Sequence, residues 1–421
     1  MKRILWLINF LPPVMAKALS LPVQASGSWV MALEQALRTH TQLQDIQLFV
    51  AAYHPAVSSI QRHTAEGTTY IALPKAQGFS ALQEVLQTLQ PDLIQLFGTE
   101  NEHALWLTEH WNPERIVIHI QGLAGPYAHH AADGLPSRFL RSQPLKEWLS
   151  AKTGGKTVRQ LVQQLEWQGK RERQVLEQVG HVLGRTQWDK DYAQQCNPSI
   201  NYHHLDEIMR ESFYHTQWKP CQNPHPVLFV TQGNLPLKGL HRLVEALPKL
   251  LSAYPNLQVK VAGWPPVRKH WLLQPLVRWL CEYQTYLEER AKALGVEGHI
   301  HYTGVLDQQG VRQALLSSDV FLMPSSIENS PNSLGEAMLM GMPCVACKVG
   351  GIPSMLTHGK EGFLFDSDSP DQLAEQVLWM LQNTDKAVAL GQAARTRALV
   401  THDPSRIAHQ QVELYHELLD F

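Results

Sequence analysis

Two α/β domains, each a parallel sheet covered by helices on both faces, are what this sequence predicts, and three observations carry the expectation. Continuous apolar runs alternate with longer amphipathic runs in both halves of the chain, the pattern of strands buried on both faces. A stretch rich in Pro, Asn and His, residues 197–226, interrupts the alternation near the middle and reads as an interdomain connection. The 421 residues are ample for two hydrophobic cores. The expected division is 1–200 for the first domain and 201–404 for the second.

In the first half the apolar run Ile4–Phe10 is followed by a helix from Ser28 to about Thr39. Leu48–Ala52 and Thr69–Leu73 read as strands, Ser80–Leu89 as a helix, and Leu93–Phe97 as a strand. A helix from Glu102 to Trp111 and the run Ile116–Ile120 follow, and Val182–Thr186 reads as the last strand. In doubly wound sheets ligands gather at the carboxyl ends of strands, which directs interest to the loops there. Ser26-Gly27-Ser28 opens a helix, where the glycine either completes a plain cap or lets backbone approach a ligand. Phe97-Gly98-Thr99-Glu100 and Gln121-Gly122-Leu123 are the other two such loops. His119, two residues before Gln121, reads as a packed side chain. Residues 136–173 turn helical and basic, with Phe139, Leu145, Trp148 and Trp167 interleaved. Such a run is a solvated helix face, an acceptor site or a contact with an anionic membrane. Gly155-Lys156-Thr157 ends like a phosphate loop, but Ser150 stands where the first glycine is required and the approach looks helical.

The second half repeats the alternation. Val227–Thr231 reads as a strand, Leu240–Tyr254 as a helix, and Val259–Ala262 as a strand ending at Gly263. His299–Tyr302 ends at Thr303-Gly304, and Val311–Ser317 is a helix. Gln232-Gly233-Asn234-Leu235-Pro236-Leu237-Lys238-Gly239 joins the first strand to its helix, and a lysine at a glycine-lined helix start suits a diphosphate. The run Val320–Pro324 leads into a loop carrying Glu328 and a helix carrying Glu336, eight positions on, with Ser330, Asn332, Ser333 and Leu334 between them. Unpaired N–H groups at that helix start also suit a phosphate. Gly341 and Pro343 close the helix, and Cys344–Cys347 is the next strand. Residues 265–280 form an unusual run with Arg268, Lys269, Trp271, Arg278 and Trp279, read as a connecting helix or a membrane- or acceptor-facing insertion. Gly362–Phe365, Gln372–Leu381 and a terminal helix of about Ser405–Leu418 complete the chain.

The loop–helix with Glu328 and Glu336, continued by Gly350-Gly351-Ile352-Pro353, resembles the Glu-x7-Glu signature of family four retaining glycosyltransferases, and Lys238-Gly239 resembles that family's lysine–glycine element. The resemblance covers most of the chain. It implies a GT-B fold: two Rossmann-like domains facing across a cleft, with the tail 405–421 crossing back to the first. It implies transfer of a sugar from a nucleotide-sugar donor to a saccharide or lipid-linked acceptor, with Glu328 and Lys238 at the chemistry. The donor set it implies is Gly27, Gln232, Gly233, Asn234, Lys238, Gly263, Val305, Glu328, Asn332, Ser333, Leu334 and Glu336. Glu336 would take the ribose hydroxyls, Glu328 would lie by the sugar, Lys238 and Gly27 by the diphosphate, and Val305 by the base. Gln121 and Gly122 fall on the acceptor or sugar side. Two positions depart from the family: Gln121 stands where a histidine is common, and Gln232 where an arginine is.

Composition bounds the partners. A formal net charge of −2 argues against general nucleic-acid binding. Five cysteines without framework spacing fit a reducing compartment, and Cys344-Val345-Ala346-Cys347 reads as core rather than as a metal site. The adjacent pairs His129-His130 and His203-His204 lack chelating spacing, so no metal and no other cofactor is expected. Met1–Pro13 reads as a first strand and loop rather than a signal peptide, and a cytoplasmic protein is expected, with peripheral contact at the inner membrane as the membrane-facing alternative. Rival readings are a GT-B-like epimerase or phosphorylase, and a sugar-nucleotide-binding protein without catalysis, which Gln121 and Gln232 favour.

Overall fold

The structure, a computed structural model, describes residues 1–23, 27–39, 45–221, 223–263 and 274–419. It divides into two compact units: residues 1–123, 168–210 and 401–421 form the first, and residues 124–167 and 211–400 the second.

The first unit holds an eight-stranded sheet of β1 (Lys2–Ile8), β2 (Ile46–His54), β3 (Gln61–Ala65), β4 (Thr68–Pro74), β5 (Leu93–Phe97), β6 (Ile116–His119), β7 (His181–Gly184) and β8 (Asn201–His204). Its order is β3-β4-β2-β1-β5-β6-β7-β8, parallel throughout except for the β3–β4 hairpin. The central strands are buried on both faces, which is why they read as unbroken apolar runs. The terminal helix Pro404–Leu418 lies on this sheet through Ile407, Val412 and Tyr415. The Tyr415 hydroxyl accepts from the Trp6 indole at 2.7 Å and donates to Gln95 at 2.6 Å, so its burial leaves no polar atom unmatched.

The second unit holds a six-stranded, all-parallel sheet of β9 (Val227–Val230), β10 (Gln258–Val261), β11 (Ile300–Tyr302), β12 (Val320–Met323), β13 (Cys344–Cys347) and β14 (Phe363–Phe365). The order β11-β10-β9-β12-β13-β14 is that of a dinucleotide-binding sheet, with its switch point between β9 and β12.

Among the departures from the sequence reading, three have a clear physical cause. Strand β8 lies inside the stretch 197–226 read as a connection; it is a half-exposed edge strand, and its polar residues gave no apolar run. Helix Thr384–Thr401 was not foreseen, because its buried face is built of Ala387, Gly391, Ala394 and Ala398 and small residues leave a weak hydrophobic signal. Residues 201–210 and 401–404, expected in the second domain, group with the first unit, and residues 124–167, expected in the first, group with the second. The physical reason is burial: Phe139 and Val158 join the second unit's core, Lys146 pairs with Glu282, and the Val158 N–H donates to the same carboxylate at 2.8 Å. The basic run is therefore only partly a solvated face.

Candidate functional site

At the switch point of the second sheet the loops after β9 and β12 lie against each other. The loop after β9 ends in the 3₁₀ turn Pro236–Lys238 and passes through Gly239 into helix Leu240–Ala253. Gly239 has φ 67°, and a Cβ there would stand 1.8 Å from the Pro324 carbonyl oxygen. Only glycine permits so close a backbone approach. The Ser326 N–H donates to the Leu237 carbonyl at 2.7 Å, closing the seam.

This contact places the Lys238 ammonium 2.7 Å from the Glu328 carboxylate. Ser325 Oγ donates to the same oxygen at 2.8 Å. Glu328 is 6 % exposed and Glu336 is 4 % exposed, so neither is the surface glutamate that a helix start ordinarily carries. The backbone around Glu328 is fixed from three directions. Gly351 N–H donates to its carbonyl at 2.9 Å; Asn329 N–H donates to the Tyr127 hydroxyl at 3.0 Å; and the Arg242 guanidinium donates to Ser326 Oγ at 2.6 Å. Gly350 (φ 51°) is there because a Cβ would stand 2.0 Å from the Glu328 carbonyl oxygen.

Helix Asn332–Leu339 begins at Pro331 with no side-chain cap. Its leading N–H groups are directed at whatever anion approaches. Asn332 and Ser333 stand at its start, Leu334 is fully buried behind them, and Asn332 Oδ1 is buried without a hydrogen-bond partner among the described residues. Such an acceptor suits a ligand hydroxyl. A lysine, a helix N-terminus and two buried carboxylates thus offer both an anion site and hydroxyl acceptors.

Of the other residues singled out in this half, Gln232 is exposed, and Gly233 is packed under Leu240 and Val261. The Asn234 carbonyl accepts from Gln284 at 3.0 Å, and its side chain lies over Gly263. Gly263 exchanges both backbone hydrogen bonds with Gly304, at 2.8 and 2.9 Å, which leaves Val305 projecting from the surface at 73 % exposure. Gly27, Gln121 and Gly122 belong to the first unit. Gly27 (φ 75°) caps helix Ser28–Arg38 against the Phe10 ring. The Gln121 side chain accepts from Asn9 at 3.3 Å, and its carbonyl accepts from Arg185 at 2.6 Å. Burial holds the Glu100 carboxyl above its usual range, with the Asn9 side chain hydrogen-bonded to it. His119 is fully buried between Trp29 and Phe97, and burial together with the Arg185 charge keeps its imidazole well below its ordinary pKa.

Sequence reasoning missed Arg242, Ser325 and Tyr127. Arg242 had a signal: an arginine within Leu240-His241-Arg242-Leu243-Val244, on a helix face otherwise committed to the core, has to find acceptors. Tyr127 had none, since it lies 202 positions from the loop it holds.

Residues 216–397 match the family described as "Glycosyl transferases group 1". The D-inositol 3-phosphate glycosyltransferase of Corynebacterium urealyticum is 29% identical over 184 residues, 43% of this chain and 41% of that protein. The GDP-mannose-dependent alpha-(1-6)-phosphatidylinositol monomannoside mannosyltransferase of Mycobacterium tuberculosis is 31% identical over 179 residues, 40% of this chain and 42% of that protein. The matched region thus spans less than half the length of these curated relatives. Among solved structures, sucrose-phosphate synthase from Thermosynechococcus elongatus aligns over 100% of both chains with a TM-score of 0.70 at 15% identity, a likeness of fold.

Proposed function

We propose that this chain transfers a sugar from a nucleotide-sugar donor to a saccharide or lipid-linked acceptor, retaining the anomeric configuration, a reading supported by the match of residues 216–397 to the group 1 glycosyl transferases. The observation that carries the reading is the Lys238–Glu328 pair beside the uncapped helix at Asn332, at the switch point of a dinucleotide-type sheet. In this reading Lys238 exchanges Glu328 for the donor diphosphate, and the helix N–H groups share the charge that develops as it leaves. Glu336 accepts from the ribose hydroxyls, and Glu328 then faces the sugar hydroxyls. The acceptor oxygen bonds to the anomeric carbon from the face that the diphosphate leaves, and its proton passes to the departing phosphate oxygen. Neither a protein nucleophile nor a metal is required by this scheme. In this reading Gly27 serves the diphosphate, and Gln121 and Gly122 serve the acceptor or sugar.

Gln232 supplies one cation fewer than the family's usual arginine. Arg242 does not replace it, since its guanidinium is engaged by Ser326 and the Ser367 carbonyl. The proposed setting is bacterial surface-polysaccharide assembly at the cytoplasmic face of the inner membrane. Its support is that a curated relative acts, by its name, on a phosphatidylinositol mannoside. Among the described residues no helix is long and apolar enough to cross a membrane.

Calorimetry with UDP, GDP and ADP tests the site, followed by a screen of nucleotide sugars for slow hydrolysis and transfer. One nucleotide is expected to bind, Glu336→Ala to weaken it at least tenfold, and Lys238→Ala to slow transfer by roughly 10²–10³-fold. Absence of binding by all three nucleotides sinks the assignment. Tight binding without turnover on any sugar nucleotide identifies a binding protein instead.

A further inference from the structure

Two stretches more than a hundred residues apart in sequence meet in the second unit and build one surface. Helix Pro144–Lys152 packs beside helix Gln274–Leu280. Between them is a cavity of about 260 Å³ walled by Arg138, Phe139, Lys146, Trp279, Glu282 and Tyr286. The cavity wall is largely polar and includes Arg278 paired with Glu289, but the helix faces that flank it expose large apolar side chains. Leu145 is 65 % exposed and Trp148 is 58 % exposed, and with Lys152 they share one face of their helix. Leu276 and Trp279 are exposed on the other helix. Among the described residues the exposed tryptophans are Trp148, Trp167 and Trp279, all within 136–167 and 274–280.

Charge tells what covers this face. Residues 136–167 carry Arg138, Arg141, Lys146, Lys152, Lys156 and Arg159 against only Glu147 and Glu166, in a chain whose net charge is −2. Lys146 is neutralised by Glu282 and Arg159 by Glu147, but Arg138, Arg141 and Lys152 reach solvent. Arg138 lies over the Phe139 ring at 5.4 Å and Lys152 over Trp148 at 6.0 Å, so each cation tops an aromatic body. The Phe139 ring under Arg138 is buried in the core, but the exposed Trp148 and Trp279 rings beside cationic heads match the interfacial layer of an anionic bilayer, where rings enter the acyl boundary and cations meet phosphates.

We propose that this face docks the protein on an anionic phospholipid surface, with Arg138 and Lys152 at the phosphates and Leu145, Trp148 and Trp279 in the interfacial layer. The proposal names the surface for the membrane setting of the reading above, and it holds or fails independently of sugar transfer. The test is co-sedimentation of the full chain with phosphatidylcholine vesicles and with vesicles that also contain phosphatidylglycerol. Binding to the anionic vesicles alone is expected, weakened by salt. The double variant Arg138→Gln/Lys152→Gln should bind on the order of tenfold more weakly. Leu145→Ser/Trp148→Ser should lose binding while its circular dichroism and nucleotide calorimetry match the wild type, since both side chains are exposed. Soluble glycerol 3-phosphate should not displace the vesicles. Wild type that ignores anionic vesicles, variants that bind as wild type, or displacement by glycerol 3-phosphate would overturn it.

Discussion

A glycine in the left-handed region caps a long helix in each unit, and the two caps are nearly the same in backbone shape. Gly27 has φ 75° and ψ 20° before Ser28–Arg38; Gly239 has φ 67° and ψ 19° before Leu240–Ala253. What differs is the neighbour that excludes a Cβ. At Gly27 it is the Phe10 ring, 2.0 Å from the ideal Cβ position; at Gly239 it is the Pro324 carbonyl oxygen. A ring can turn away, but a carbonyl at the end of β12 moves only if its strand moves. Glu328 lies four residues beyond Pro324, so the cap of one loop and the carboxylate of the other behave as one rigid piece. The first unit has a helix cap; the second has a cap that also sets the spacing of its charged pair.

Gly239→Ala breaks that comparison most sharply. Left-handed backbone alone costs a non-glycine residue about 1–2 kcal/mol, and collision with a fixed carbonyl brings the total to about 3 kcal/mol or more. Gly27→Ala should cost only the backbone term, about 1–2 kcal/mol, because Phe10 repacks. Thermal unfolding of both variants measures the gap, and equal losses would remove the distinction between ring and carbonyl. Next in size is Arg242→Met. The arginine is 5 % exposed and serves the buried Ser326 Oγ and the half-buried Ser367 carbonyl, so its loss removes two partners, one of them in the core, at about 2 kcal/mol. Nucleotide affinity should fall with it, since Ser326 lies two residues before Glu328; an unchanged affinity would show that the loop holds without this brace.

These contrasts also show where the sequence could be read and where it could not. The parallel strands and their order of appearance were visible because burial on both faces makes strands such as Ile4–Ile8 and Val320–Met323 continuously apolar. Lys238-Gly239 and Glu328 were visible as loop chemistry between a strand and a helix. That they touch, and that Gly239 is the reason, was not, because a close approach between residues 239 and 324 is long-range. Edge strands such as β3 and β8 were hidden by their polar side chains. The placement of residues 124–167 was hidden because Phe139 and Val158 are two isolated apolar residues in a basic run, and only the fold tells which core they enter.

The charged pair itself gives the next effect. Lys238→Met leaves the Glu328 carboxylate buried with the Ser325 hydroxyl still donating to it, and should cost about 1–2 kcal/mol, less than a fully buried pair because the lysine is 27% exposed. Adding Glu328→Gln should restore most of that stability, since an amide needs no counter-charge. A double-mutant cycle by urea unfolding reads the coupling. If the two losses simply add, the pair does not hold the loops together.

The smallest effect separates the units by pH. His241 is 3 % exposed; its Nε2–H donates to the Asp133 carbonyl at 3.0 Å, and its Nδ1 accepts from the Tyr283 hydroxyl at 3.2 Å. Burial, and then the Arg242 charge, push its pKa down to about 3. In the first unit, burial and Arg171 push His103 down to about 4. Both imidazoles are therefore neutral when folded and protonate on unfolding below the ordinary value of about 6.5. The unfolded chain binds more protons there, so the stability from these groups is complete above about pH 6.5 and is lost as pH falls toward the folded values. For His241 that amounts to about 1 kcal/mol between about pH 7 and about pH 5.5. His241→Gln keeps a donor and an acceptor but cannot titrate, so it should flatten the acid limb of the second unit and leave the contribution of His103 in place. Hydrogen exchange followed separately in helices Leu240–Ala253 and Glu102–His110 resolves the two. An acid limb in Leu240–Ala253 that survives the substitution would mean that another buried group, not His241, carries the proton uptake of that unit.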